Sequence, residues 1–514
     1  MDFALFALLL GGSFLTEAAT NSTPGQLAGR EVFLGKLPIG AQLSAAALSE
    51  DCQHVAIPCQ RGLRWTVQHD GTMGDSYQRV HSLTFSPKGG RLAYVGQKSG
   101  GGEVLVLDGK EGPMYNNNDI PTNSLKFSPD GLRYAYAIGI SNSNPELKIP
   151  YDVDEHGASA VRPNSTGGRR MVWRGPVRVV LDGKESRDYY SLATRKLVFS
   201  PDGKQLAYHG SLSPIPTLED LGVVVRNGIE SQPYRGILEG TPVFSPDSRR
   251  FAFAGTRDGK WFVVLDDKEG PPYDVVISAS LTFSPDSRRF VYIAKRDGRC
   301  FLVVDGKETS PVEDGEFSIV TFSPDSQRMA LLAGRDSRSY WLIDGKQGPA
   351  FDRVSLLSFS PDSQRVTYVG YRGKQVHIVT DGVESRGYEL VGESPSPFSP
   401  DSHHVAYLAM RDGKYRLVLD GKEGADFDLA GPALAFSPDS RHVAFVAGRG
   451  PIAPGNIPKT AFVVIDGRES RQYIGIFPGL AFAGNNVVRV IALRLNEQTA
   501  EFEIVRVELS VPET

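Results

Sequence analysis

Residues that could do chemistry are scattered through this chain. The densest group is Asp152-Val153-Asp154-Glu155-His156-Gly157. Its alternating acids look like the start of a calcium loop, where oxygen ligands surround the ion. The twelfth position is Pro163, not the bidentate Glu such a loop requires. Asp152 and Asp154 are therefore candidate ligand-binding residues, and no metal site is expected. A second pattern places an acid after an aromatic: Tyr273-Asp274, Phe351-Asp352, Tyr388-Glu389 and Phe427-Asp428. Asp274, Asp352, Glu389 and Asp428 could form an anionic rim for a basic or hydroxyl-rich partner. The plainer expectation is solvated charge on strand edges, which discourages edge-to-edge pairing.

Catalytic motifs are missing from the sequence. There is no Gly-x-Ser-x-Gly nucleophile elbow and no Gly-x-x-x-x-Gly-Lys-Ser/Thr phosphate loop. The nine histidines are His54, His69, His81, His156, His209, His377, His403, His404 and His442. His403, His404 and His442 stand where related segments carry Ser-Arg-Arg or Ser-Gln-Arg, and read as polar substitutes beside a turn. No catalytic residue and no cofactor is expected. Enzymatic activity stays open, because loops from different parts of a fold can assemble a site.

Bulk properties narrow the classes. Lys plus Arg number 56 against 60 for Asp plus Glu, a net charge of −4, so no basic field favours nucleic acid. Cys52, Cys59 and Cys300 make neither a disulfide framework nor a zinc pattern, although Cys52 and Cys59 could pair across neighbouring strands. Phe3 to Leu15 is almost wholly apolar and too short to span a bilayer comfortably. Residues 1–18 are expected to be a signal peptide cut after Ala18, although Asp2 replaces the usual positive charge. This predicts a periplasmic or secreted protein, or a cytoplasmic one if the segment is not a signal. No integral membrane segment is expected after signal removal.

The elements that must position any site come from a repeat. Phe85, Phe127, Phe199, Phe244, Phe283, Phe322, Phe359, Phe398 and Phe436 head similar segments, with degenerate copies at Leu48 and Phe482. Each copy reads as four strands. Strand A ends at the Phe. Ser-Pro-Asp-Ser or Ser-Pro-Asp-Gly suits a turn, with Pro presetting φ and Asp and Ser bonding local backbone. Strand B alternates β-formers, an Arg-Asp-Gly-Lys type turn leads to strand C, and Asp-Gly begins the C–D hairpin. A period of roughly 39 residues is that of propeller blades.

The Ser-Pro-Asp-Ser/Gly turn and the strand after it resemble the WD40-like repeats of TolB-type bacterial β-propellers, from about Leu48 to Leu509. The resemblance implies an all-β propeller of about eleven four-stranded repeats. It leaves function open, because propellers host binding proteins and enzymes alike. Propellers usually have 4–8 blades, so two rings are expected, residues 30–275 and 276–514, with one large ring as the alternative. Arg30 to Leu37 could supply strand D to the last copy.

In such a fold the A–B and C–D turns share one face, and the B–C and D–A connections share the other. The first face is monotonous, and backbone needs explain it better than docking does. The second carries the variation, including an insertion at 141–170. The expected function is an exported binding or scaffold protein that recognises a protein, peptide or glycan through this variable face. A propeller lyase or hydrolase acting on polysaccharide or peptide is the alternative.

Overall fold

The computed structural model describes residues 27–511, except 116–119, 123, 140–176, 193–196, 214–220, 279, 310–315, 336, 393–396 and 451–459. The chain forms eleven antiparallel sheets, each following the order A-B-C-D. Blade 5 is representative. Its strand A has two pieces, Gly236–Ile237 and Val243–Phe244, followed by Phe251–Arg257, Lys260–Leu265 and Lys268–Glu269. Strand B is buried along most of its length, while the short strand D is exposed. Both hairpin turns have positive φ at their central residues, Asp258-Gly259 and Asp266-Asp267. That geometry matches the twist of the strands, and Asp, Asn and Gly tolerate it. Among the described residues, no helix is long and apolar enough to cross a membrane.

A single blade exposes two apolar faces, so neighbours must cover them. Eleven apolar clusters do so, one for each pair of adjacent blades. Blade 5 meets blade 6 through Ala252, Ala254 and Val263 against Phe290, Tyr292 and Val303. Blade 11 meets blade 1 through Ile491, Leu493 and Ile504 against Val55, Ile57 and Cys59. This corrects the preference for two rings. A division near residue 275 would strip the blade 5–6 interface of its partners, and the interface shows no seam there. The alternative, one large ring, is the architecture.

The ring closes by strand exchange, as the truncated last copy suggested. Gly29–Lys36 pairs with Glu501–Ser510 as strand D of blade 11. Arg30 Nε lies 2.6 Å from Glu508, and Glu31 accepts the Tyr473 hydroxyl at 2.9 Å. Two distant parts of the sequence thus share one sheet.

The packing differs from expectation in one respect. Most of the Phe residues ending strand A are only partly buried. The Arg that ends an A–B turn lies over the next blade's ring, as Arg250 over Phe283 at 5.4 Å and Arg328 over Phe359 at 5.2 Å. Tyr77, Tyr273 and Phe351, where the chain passes between blades, are instead almost wholly buried. They lie so close to the next blade that a Cβ on Gly96 or Gly370 would fall 2.4 or 2.6 Å from the Tyr77 or Phe351 ring. All three cysteines are unpaired and buried. Burial pushes the Cys52 and Cys59 thiols up to about 11.

Candidate binding faces

The face of A–B and C–D turns is built to one plan. In blade 5, the Ser245 hydroxyl donates to Asp247 at 2.6 Å and accepts the Arg250 N–H at 2.9 Å. The turn's fourth residue, Ser248, has φ of 63° and is buried. Its hydroxyl accepts the Asp202 N–H of blade 4 at 3.0 Å. The same bond links Asp247 to Ser287, Asp286 to Ser326, Asp325 to Ser363, Asp362 to Ser402 and Asp401 to Ser440. These bonds tie blades 4 to 10 into a chain around the ring. Arg328 adds a second layer, bonding Asp344 in its own blade at 2.8 Å and the Gln364 carbonyl of the next at 2.6 Å. Hydrogen bonds from serine hydroxyls hold Asp247, Asp286, Asp325 and Asp362 below the usual carboxylate range.

The C–D turn is locked as firmly. Asp266 Oδ1 accepts the N–H of Phe251 at 2.9 Å, fastening this turn to the start of strand B. His404 and His442 occupy the arginine position and bond Asp420 and Asp466 at 2.7 and 2.6 Å. His403 lies 3.1 Å from Asp401. All three are polar substitutes beside a turn, as their place in the repeat indicated.

The opposite face is built differently. The B–C connection is two residues in blades 5, 6 and 9, but runs from Ser211 to Gly222 in blade 4 and from Arg449 to Thr460 in blade 10. In blade 3 it runs from Gly139 to Val177 and contains the insertion. Asp152 and Asp154 lie there, outside the described residues.

The four acids of the aromatic-acid pattern sit at blade crossings on this face. Asp274 accepts the Asp297 N–H at 2.8 Å, Asp352 the Gly373 N–H at 2.7 Å, Glu389 the Asp412 N–H at 2.7 Å and Asp428 the Gly450 N–H at 2.8 Å. Each acid thus holds the B–C turn of the blade being entered. Lys260 also bonds Asp274 at 2.5 Å, and Lys414 pairs with Asp428. Lys260 chiefly lowers the Asp274 carboxyl, and the Gly450 N–H chiefly lowers that of Asp428. The acids stand at four separate crossings, so they do not converge as an acid–base pair would.

Two clusters escaped the sequence reading. In blade 2, His81 Nε2 lies 3.3 Å from buried Glu103, which also accepts the Ile120 N–H at 3.0 Å. In blade 1, one ring nitrogen each of His54 and His69 and an Asp70 carboxylate oxygen all lie within 4.8 Å of one another. The repeat held the signal for the second: His54 occupies the arginine position, and His69-Asp70 replaces the Leu-Asp that precedes other C–D turns.

No protein-family model and no curated protein matches the chain. Among solved structures it is similar to a eukaryotic initiation factor, at 12% identity over 70% of this chain and 90% of that one, with a TM-score of 0.39. It is also similar to TolB from Acinetobacter baumannii, at 18% identity over 59% of this chain and 78% of that one, with a TM-score of 0.27. Overlaps this loose carry no argument about function, and the propeller architecture rests on the strands and blade interfaces themselves.

Proposed function

We propose that this propeller is a binding or scaffold module that recognises a protein, peptide or glycan through the face of B–C and D–A connections. The observation that carries the reading is the unequal length of those connections. The A–B turns of blades 1 to 8 and 10 are each six residues long, and the C–D turns of blades 1 to 10 are each two. A face whose loops are free to vary on a rigid scaffold suits recognition. Export to a bacterial envelope belongs to the same proposal, supported by the apolar segment from Phe3 to Leu15 and by the TolB-like turns.

The test is a cross-linking pull-down from envelope extract. Its baits are the full chain and a variant in which Asp-Gly replaces residues 141–170. A partner captured by the first and lost with the second, both folded by circular dichroism, supports the proposal. Equal capture by both removes the insertion from recognition. If a variant with altered A–B turns alone loses the partner, the assignment of the binding face is wrong.

A further inference from the structure

We infer that His54, His69 and Asp70 form a binding site for a divalent transition metal, with zinc as the best fit. Two imidazole nitrogens and one carboxylate oxygen are a ligand set that zinc accepts, leaving a fourth position for water.

The comparison with other blades isolates what is unusual here. In blades 2, 3 and 5 to 8 the pair is an arginine and the acid of the C–D turn, as in Arg250–Asp266 at 3.0 Å and Arg328–Asp344 at 2.8 Å. Blades 9 and 10 use a single imidazole, His404 or His442, against that acid. In those blades the residue before the acid is Leu419 or Ile465. Blade 1 places a second imidazole there. Asp70 Oδ2 lies 2.6 Å from His54 Nδ1 and 3.6 Å from His69 Nε2. His69 Nε2 is shielded from solvent and has no hydrogen-bond partner, although its side chain is partly exposed. A buried ring nitrogen aimed at a carboxylate without bonding it is costly as it stands. A cation between them would satisfy it.

The surroundings suit a metal. The other Asp70 oxygen accepts the Val55 N–H at 2.9 Å, which fixes the carboxylate as outer-shell bonds do. Phe85 of blade 2 covers both imidazoles, with ring centroids at 6.3 and 5.6 Å. Cys52 is near in sequence but not part of the set, since its sulfur faces Gly479 of blade 11. Tetrahedral ligands at zinc bond lengths stand about 3.3 Å apart. The His54–Asp70 contact must therefore open slightly and the His69–Asp70 contact close slightly. The bound metal would join the A–B and C–D turns of blade 1.

The experiment is zinc titration calorimetry on the full chain, with cobalt absorption as a second readout of coordination. The controls use residues that the fold already accepts. His69→Leu places the residue found at Leu265 and Leu419. Asp70→Asn copies Asn227, which has a similar positive φ and likewise accepts the N–H at the start of strand B. The expected result is one zinc equivalent for the parent chain, weakened roughly tenfold or more by either substitution and unchanged by His404→Leu. Visible cobalt bands should disappear in both variants. No stoichiometric zinc binding by the parent chain would overturn the inference. So would affinity that is unchanged in either folded variant.

Discussion

The two faces use the same amino acids for different ends. On the A–B and C–D face, serine, aspartate and arginine bond from blade to blade, and turn length is the same in blades 1 to 8 and 10. On the opposite face, the acids each secure one turn, and the connections between strands differ several-fold in length. The contrast shows where the ring tolerates change. A turn whose hydroxyl accepts an N–H from the preceding blade cannot be lengthened without breaking that bond. A B–C connection between Ser211 and Gly222 leaves every strand pair of its blade in place. Conformity on one face is what allows variety on the other.

The sharpest way to break this account lies at the ring closure. A chain beginning at Pro38 loses strand D of blade 11 and leaves strand C, Glu501–Ser510, without its outer pairing partner. It should fail to fold cooperatively, so that calorimetry finds a single unfolding transition for the parent chain and none for the truncated one. Two independent rings with closure elsewhere would survive this truncation.

The next effect comes from the crossing aromatics. Phe351→Ala should cost about 3–5 kcal/mol in urea unfolding. Phe359→Ala, at a partly buried site under Arg328, should cost less. Equal losses would mean that the strand A phenylalanines carry the interfaces after all.

Acid should act mainly through the turn face. Asp247, Asp286, Asp325 and Asp362 have folded pKa values below the unfolded value of about 3.9. Their ionised forms therefore stabilise the fold above that pH, and the contribution is lost as pH falls through the folded values. Circular dichroism against pH should show constant stability from about 5 to 7 and a decline below about 4. Replacing these four with Asn should flatten the decline.

Much of this fold was legible because its signals are local. Ser-Pro-Asp-Ser and Asp-Gly specify turns from four adjacent residues, and the strands between them follow. The missing strand D was legible too, because one copy ended early and Arg30 to Leu37 had the right pattern. Ring number was not legible. The blade 5–6 interface uses the same Ala, Val, Phe and Tyr types as the others, so nothing in Ala252 or Phe290 announces continuity. The acids after the aromatics were visible as a pattern, but their bonds to Asp297, Gly373, Asp412 and Gly450 depend on the neighbouring blade. His54 and Asp70 are sixteen residues apart, and only the C–D turn folding back on strand B brings them together.

The division of labour between faces is tested most directly by urea unfolding of two double variants. Ser287→Ala with Ser326→Ala removes two buried hydroxyls that accept N–H groups from the preceding blades. Leu63→Ser with Lys374→Ala alters two exposed residues of B–C turns. The first pair should lose about 2 kcal/mol, near 1 for each orphaned donor. The second should stay within about 0.5 kcal/mol of the parent. Equal losses, or a larger loss from the second pair, would contradict the claim that one face holds the ring and the other is free to vary.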